Sequence, residues 1–229
     1  MNASADGGSE DEPTRAAEDY LKAIYKLQGS SGSSVSTSEL AGALDRSAAS
    51  VTNMVKSLAR QGLVEHVPYY GVRLTGEGES AALRIIRRHR VIESYLIDRL
   101  GYSWDGVHAE AERLEHAASD DLIDRMARAM GDPAFDPHGS PIPSAEGDIE
   151  ERSITRLTDV QEEVPAVVRE VADENPEWLR EAGALGLFPG TRVVVIHEEP
   201  SADGLTVRVG GEARTVDREL AAAISVERL

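Results

Sequence analysis

The sequence predicts a mainly α chain with a small β domain at its end: a winged helix-turn-helix, a helical segment and a C-terminal β-barrel. Three observations carry this reading. Apolar residues recur at helical spacing through 14–28, 38–61 and 78–130. Two short strand-like runs, 63–67 and 72–74, follow the second helix of a close helix pair. From residue 151 onward the pattern shifts to short apolar runs separated by Gly and Pro turns.

The elements follow in order. In the first helix Tyr20, Leu21, Ile24, Tyr25 and Leu27 share a face, and Thr14 is placed to cap it. Ser and Gly at 29–34 break the pattern. Ser36 or Thr37 caps a short helix over Ser38–Leu44, Asp45-Arg46 makes a turn, and a second helix runs from about Ala48 to Gln61. Its apolar side holds Val51, Met54, Val55 and Leu58, and Gly62 ends it. The strands Leu63–Val67 and Val72–Leu74 flank Pro68-Tyr69-Tyr70-Gly71, which completes a wing. A long helix is expected over Gly78–Leu100 and another over Asp105–Met130. A proline-rich loop at 131–150 marks a boundary. Beyond it Ser153–Leu157 reads as a strand, and Val164–Arg169 and Glu177–Leu185 as short helices. Arg192–His197, Leu205–Val209 and Ile224–Leu229 read as strands, with turns at Glu199–Gly204 and Gly210-Gly211. The expected organisation is an acidic disordered start (1–13), a winged-helix domain (14–77), a helical domain (78–150) and the β domain (151–229).

Composition bounds the chemistry. There are no cysteines among 229 residues, which excludes disulfides, thiolate zinc sites and iron–sulfur clusters. Any metal must be held by His, Asp, Glu or backbone oxygen. No apolar run approaches the eighteen residues of a membrane span, and the N-terminal residues lack the features of a signal peptide. A cytoplasmic protein without membrane contact is expected. The formal charge of −17 is unevenly distributed. Thr14–Leu100 holds twelve Lys and Arg against nine Asp and Glu, whereas the chain from Gly101 holds twelve against twenty-eight. The front part therefore suits nucleic acid and the rest does not. An acidic, lysine-poor surface also suits a cytoplasm at very high salt, so a halophilic origin is expected.

The helix beginning at Ser47 opens with small residues and short polar side chains, as a helix entering the major groove requires. Ser47, Ser50, Thr52 and Asn53 point outward, and Asn53 can pair in bidentate fashion with adenine. Arg46, Lys56, Arg60 and Arg73 are placed near phosphates. Double-stranded DNA is the expected partner, with no small organic substrate.

The sharpest pattern is chemical. His89 and Glu93 stand four apart on one helix, and His108, Glu112, Glu115 and His116 follow on the next. At about 100° per residue the last four share one face, roughly 100° wide. Four potential ligands on one face that belongs in a core are an odd arrangement unless something charged sits there, and a bound metal is the favoured reading for the whole set. Carboxylates with imidazole suit Mn²⁺, Fe²⁺, Co²⁺ or Zn²⁺. A solvated face of His–Glu pairs is the plainer reading. A metal-indifferent winged-helix regulator, a di-metal carboxylate enzyme and a metal-storage accessory are the competing functions. The enzyme needs a Glu-x-x-His motif on two helices; storage leaves 35–75 unexplained.

These residues bring a family into view. EDYLKAIYKL (18–27), the winged segment, RRHR with Glu93, VHAEAERLEH (107–116), PHGSPIP (137–143) and GLFPGTRV (186–193) resemble the DtxR/MntR family of iron- and manganese-dependent repressors, over about 15–229. The resemblance implies a homodimer, a non-enzymatic role, an SH3-like (FeoA-like) third domain, and Mn²⁺ foremost or Fe²⁺ as the effector. It places a primary site on Asp19, Glu112, Glu115 and His116, and an ancillary site on His89, Glu93 and His108 with Glu170 and Asp173. It places DNA contacts near Ser47, Ala49 and Asn53. Asp19 and Glu112 are oxygen donors, as in manganese-type members. Lys22 departs from the manganese-type pattern, which has a carboxylate one turn after Asp19, and this argues for separate primary and ancillary sites.

Overall fold

A computed structural model describes residues 13–29, 32–67, 70–198 and 204–229, which divide into two compact units, 1–85 and 86–229. Most of the acidic start, Ser30 and Ser31, the wing residues Pro68 and Tyr69, and 199–203 lie outside the described residues.

In the first unit α1 (Arg15–Gln28) starts at Thr14, whose hydroxyl accepts from the Ala17 N–H. α2 (Thr37–Leu44) opens with a capping box between Ser36 and Glu39, which satisfies two backbone donors reciprocally. Asp45 takes a left-handed conformation at its end. α3 (Ala48–Arg60) is capped by Ser47. β1 (Val64–Val67) and β2 (Gly71–Leu74) pair antiparallel, with Glu65 opposite Arg73. Leu21, Ile24, Leu40, Val51, Val55, Leu58, Val64 and Val72 form one core. Val35 bridges to Val72 beside it, and this close approach requires Gly71: its φ is 113°, and a Cβ there would stand 2.0 Å from the Val35 carbonyl oxygen. The outcome is the expected helix-turn-helix with a two-stranded wing.

α4 (Gly76–Leu100) begins in the first unit and ends in the second. In the second unit α5 (His108–Leu114) and α6 (Asp120–Ala129) follow. The single helix expected over 105–130 is thus two. Ser119 explains the break: its side chain accepts from Leu122 N and opens α6, with Asp120 and Asp121 in the favourable first turn. Val91, Ile92, Leu96, Val107, Ala111, Ile123 and Ala127 form the core of this helical part. The loop at 131–150 is fastened by three arginines. Arg87 and Arg90 of α4 donate to the carbonyls of Pro143 and Pro141 (2.8 and 2.5 Å), and Arg152 donates to that of Gly139.

The β part is a six-stranded antiparallel sheet. Its strands are β3 (Thr155–Arg156), β4 (Pro165–Val171), β5 (Arg192–Glu198), β6 (Gly204–Val209), β7 (Glu212–Asp217) and β8 (Ile224–Arg228), in the order β3-β8-β4-β5-β6-β7. α7 (Pro176–Leu185) and α8 (Arg218–Ala223) pack with it around Leu179, Leu187, Val195, Leu205, Val207, Leu220 and Val226. Val164–Arg169, expected as a helix, lies instead largely in β4, between β5 and β8. Its β-branched Val167 and Val168 are buried, as a central strand requires. β7 and α8 were not expected. β7 turns back from β6 through Gly210 and Gly211, both at positive φ, and stands at the end of the strand order with only Val216 buried. A strand with one buried side leaves little apolar signal. Among the described residues no helix is long and apolar enough to cross a membrane.

Candidate metal centre and DNA-reading face

α4 turns His89, Glu93 and Ser94 inward, and all three are buried. Four residues apart on one helix, the His89 and Glu93 side chains meet: His89 Nε2 lies 3.0 Å from Glu93 Oε1. His108, at the first position of α5, brings Nδ1 to 3.1 Å from both Glu93 Oε1 and His89 Nε2. Asp173 follows the end of β4 and places Oδ2 at 3.4 Å from His108 Nδ1 and 3.9 Å from His89 Nε2. Four donor atoms from the helical and β parts of one unit therefore converge. Ligands about 2.1 Å from one ion are separated by roughly 3–3.4 Å, and the spacings here fit that range or slightly exceed it. The set of two imidazoles and two carboxylates suits a divalent ion of the Mn²⁺–Fe²⁺ type.

The other nitrogen of His89 is also engaged. Nδ1 lies 2.5 Å from Glu115 Oε2 and 3.8 Å from Glu112 Oε1. Donation of Nδ1–H to the wholly buried Glu115 leaves the Nε2 lone pair facing Glu93, His108 and Asp173, the carboxylate support that metal-binding imidazoles commonly have. Glu115 Oε1 lies 3.4 Å from His116 Nε2. His89, Glu112 and Glu115 thus form a second ligand group next to the first.

The electrostatics follow from this crowding. Burial pushes the Glu93 carboxyl up, but the imidazoles of His108, His138 and His89 around it outweigh that and hold Glu93 well below the usual carboxylate range. Burial pulls His108 down, and Asp173 with Glu93 more than reverses that, raising it to about 10. Burial raises Asp136 to about 7. His138 is lowered by burial and raised more strongly by Glu93, reaching about 9. His108 and His138 are thus held cationic by carboxylates, so this interior favours positive charge.

The nine ligand residues expected from the sequence divide as follows. The structure brings His89, Glu93, His108 and Asp173 together, and sets Glu112 and Glu115 beside His89. His116 adjoins Glu115. Glu170 does not join them: it lies within β4, and its carboxylate accepts the Ser140 hydroxyl at 2.6 Å. Asp19 is half-buried on α1 of the first unit. Two residues escaped the sequence reading, Asp136 and His138. Both are buried in the 131–150 loop and border Glu93. A histidine framed by prolines and glycine in that loop was the available signal.

On the first unit, Arg46, Ser47, Ala49, Ser50, Asn53, Lys56, Arg60 and Arg73 are exposed, and Thr52 is half-exposed. Two hydroxyls are spent internally: that of Ser47 accepts from Ser50 N, and that of Thr52 donates to the Ala48 carbonyl at 2.8 Å. Ser50 and Asn53 then leave exposed polar groups early in α3, beside the methyl of Ala49. Arg73 pairs with Glu65 across the wing at 3.2 Å, and Arg60 donates to the Lys56 carbonyl.

Three family models match consecutive stretches of the chain. The iron dependent repressor N-terminal DNA binding domain covers residues 13–72, its metal binding and dimerisation domain 75–144, and the FeoA domain 155–228. The iron-dependent repressor IdeR of Mycobacterium tuberculosis is 31% identical over 225 residues, 93% of this chain and 96% of its own. The chain belongs to the iron-dependent repressor family. The diphtheria toxin repressor of Corynebacterium glutamicum is 30% identical over 93% of this chain and 96% of its own. Among solved structures, a manganese-dependent transcriptional repressor in complex with manganese superposes with a TM-score of 0.87 at 38% identity, covering 93% of this chain and all of that one. ScaR with bound Zn²⁺ superposes with a TM-score of 0.80 at 28% identity, over 95% of this chain and all of that one. The family consists of DNA-binding repressors rather than enzymes, and its members share the winged helix, the helical region and the SH3-like FeoA domain found here.

Proposed function

We propose that this chain is a repressor of metal-uptake genes that binds operator DNA as a homodimer when Mn²⁺, or alternatively Fe²⁺, is abundant. The observation that carries the reading is the convergence of buried His89 and Glu93 with half-buried His108 and Asp173 in a chain that also presents an exposed recognition helix. Hard oxygen donors with imidazole, and no thiolate, favour Mn²⁺. Bound there, the ion supplies positive charge that joins the α4–α5 helices to the β part. Glu115 orients His89, and Glu93 and Asp173 hold His108 in place.

The family resemblance supports a further, primary site on Glu112, Glu115 and His116 with Asp19 as the ligand from the DNA-reading unit. A metal at a hundred times its dissociation constant biases an equilibrium between DNA-competent and other states by about 2.7 kcal/mol, roughly a hundredfold in DNA affinity, when only the competent state binds it. Domain limits of 14–77, 78–150 and 151–229 follow the proposed roles of reading, sensing with dimerisation, and the FeoA-like domain. Exposed Leu114 and Leu122 on α5 and α6 support self-association through the helical part. A regulator of this kind works in the cytoplasm, where operator DNA lies.

The test is fluorescence anisotropy of a labelled promoter fragment with chelated protein, titrated separately with Mn²⁺ and Fe²⁺. Binding that requires metal is expected, with half-saturation at the lower concentration for Mn²⁺. Equal DNA affinity with chelator present overturns the reading. Asp19→Ala that binds DNA as tightly as wild type with the same metal requirement removes the Asp19 assignment alone.

A further inference from the structure

Glu93 offers its two carboxylate oxygens to different neighbours. Oε1 faces His89 and His108. Oε2 faces the opposite group, with His138 Nδ1 at 3.6 Å and Asp136 beside it. One ligand atom each from Glu93, Asp136 and His138 lie within 4.8 Å of one another, and all three residues are buried, Asp136 being 5% exposed and the other two 0%. Among the described residues, none donates to or accepts from Glu93 Oε2, Asp136 Oδ2 or His138 Nδ1. A buried polar atom without a partner is costly, and three converging on one point are more so.

The surroundings orient these atoms. Asp136 Oδ1 accepts from the N–H groups of His138 and Ser140, both at 2.9 Å, which aims Oδ2 at the shared point. His138 Nε2 lies 2.9 Å from the Trp104 carbonyl oxygen, so Nε2 keeps its proton and Nδ1 is the ring position that an ion can take in exchange for a proton. Arg90 Nε stands 3.5 Å from Asp136 Oδ2, too far for a good hydrogen bond, and Arg90 spends Nη1 on the Pro141 carbonyl. It offsets one of the two carboxylate charges and leaves the oxygen lone pairs open.

We propose that Glu93 Oε2, Asp136 and His138 form a further site for a hard divalent cation of the Mn²⁺ class, with Glu93 bridging it to the His89–Glu93–His108–Asp173 site. The inference rests on the reading of that neighbouring cluster as a metal centre, because the two share Glu93. The bridge makes the two ions a carboxylate-linked pair in one unit. The competing occupant of the pocket is a proton on His138 Nδ1.

The experiment uses the full chain loaded with Mn²⁺ and freed of excess ion. Bound manganese is counted by mass spectrometry, and crystals are measured at the manganese absorption edge. Asp136→Asn is the informative variant: its Oδ1 keeps both backbone hydrogen bonds while the amide replaces the ligand oxygen. An anomalous peak among Glu93, Asp136 and His138 in the wild type is expected, and one equivalent fewer in Asp136→Asn with the peak at His89 and His108 retained. A blank pocket beside an occupied His89 site, with equal metal content in variant and wild type, overturns the proposal and leaves the metal-dependent reading intact. Wild type that binds no manganese overturns both. Should Asp136→Asn fail to fold, the wild-type anomalous map decides alone.

Discussion

Protons and metal compete for the same atoms at His108, and the competition is measurable. Asp173 and Glu93 raise this imidazole to about 10 in the metal-free protein. From pH 7 to 9 it therefore carries a proton that an incoming ion must displace. Each pH unit below the raised value costs about 1.4 kcal/mol, or tenfold in affinity. The sign is fixed: affinity for Mn²⁺ rises with pH and levels off only near the raised value. Between pH 9 and pH 7 the apparent affinity at this site falls about a hundredfold on that slope. An unperturbed imidazole near 6.5 changes affinity only about 1.3-fold over the same interval. The assay is competition with a chelator of known pH dependence under anaerobic conditions. Isothermal titration at pH 7.5 in two buffers of different ionisation enthalpy counts the protons released. A slope close to one proton, with at least one proton released per ion, is expected. An affinity flat above pH 7 refutes the claim that Asp173 and Glu93 hold His108 cationic.

Three other outcomes test separate parts of the structure. Glu115→Ala removes the buried acceptor 2.5 Å from His89 Nδ1 and is expected to weaken Mn²⁺ binding about 10- to 100-fold while Asp173→Ala acts on the same site from the β part, both measured by chelator competition. Asn53→Ala is expected to cost about 1–3 kcal/mol of discrimination at one base pair, whereas Lys56→Ala weakens all sequences alike and lowers the salt slope by about one, both read by anisotropy across a salt series. Gly139→Ala places a Cβ 1.9 Å from the Arg169 carbonyl oxygen at a φ of 95°, so a loss of about 1–3 kcal/mol in thermal unfolding is expected, whereas Gly147→Ala, also at positive φ but with open space around it, costs less.

Local signals made the reading head legible from residues alone. Thr14 and Ser36 each cap the helix that their sequence position announces, and Gly71 sits where the wing meets Val35. The β part was less legible because its strands report tertiary placement. Val164–Arg169 has too few residues to separate a buried strand from a helix, and only its position between β5 and β8 decides. β7, with Val216 as its one buried side chain, has no period to detect. The break before α6 was legible in principle, since Ser119 followed by two aspartates is a helix start, but continuous apolar periodicity across it masked the cap.

The metal centre shows the same division at finer scale. His89 with Glu93, and His108 with Glu112, are i, i+4 pairs, and helical geometry alone puts each pair on one face. Asp173, Asp136 and His138 sit on irregular backbone, whose direction no period encodes. They reach Glu93 because Arg87, Arg90 and Arg152 fasten the 131–150 loop through its carbonyls, and because β4 ends before Asp173. Glu170, three residues earlier, is still in the strand and is taken up by Ser140. Choosing between those two carboxylates requires the strand end to be known to within a residue or two, a precision that sequence pattern lacks. The ligands that helices supply are therefore readable one helix at a time. Those that join the helical part to the β part depend on the folded chain, and it is through them that a bound ion can couple the two parts.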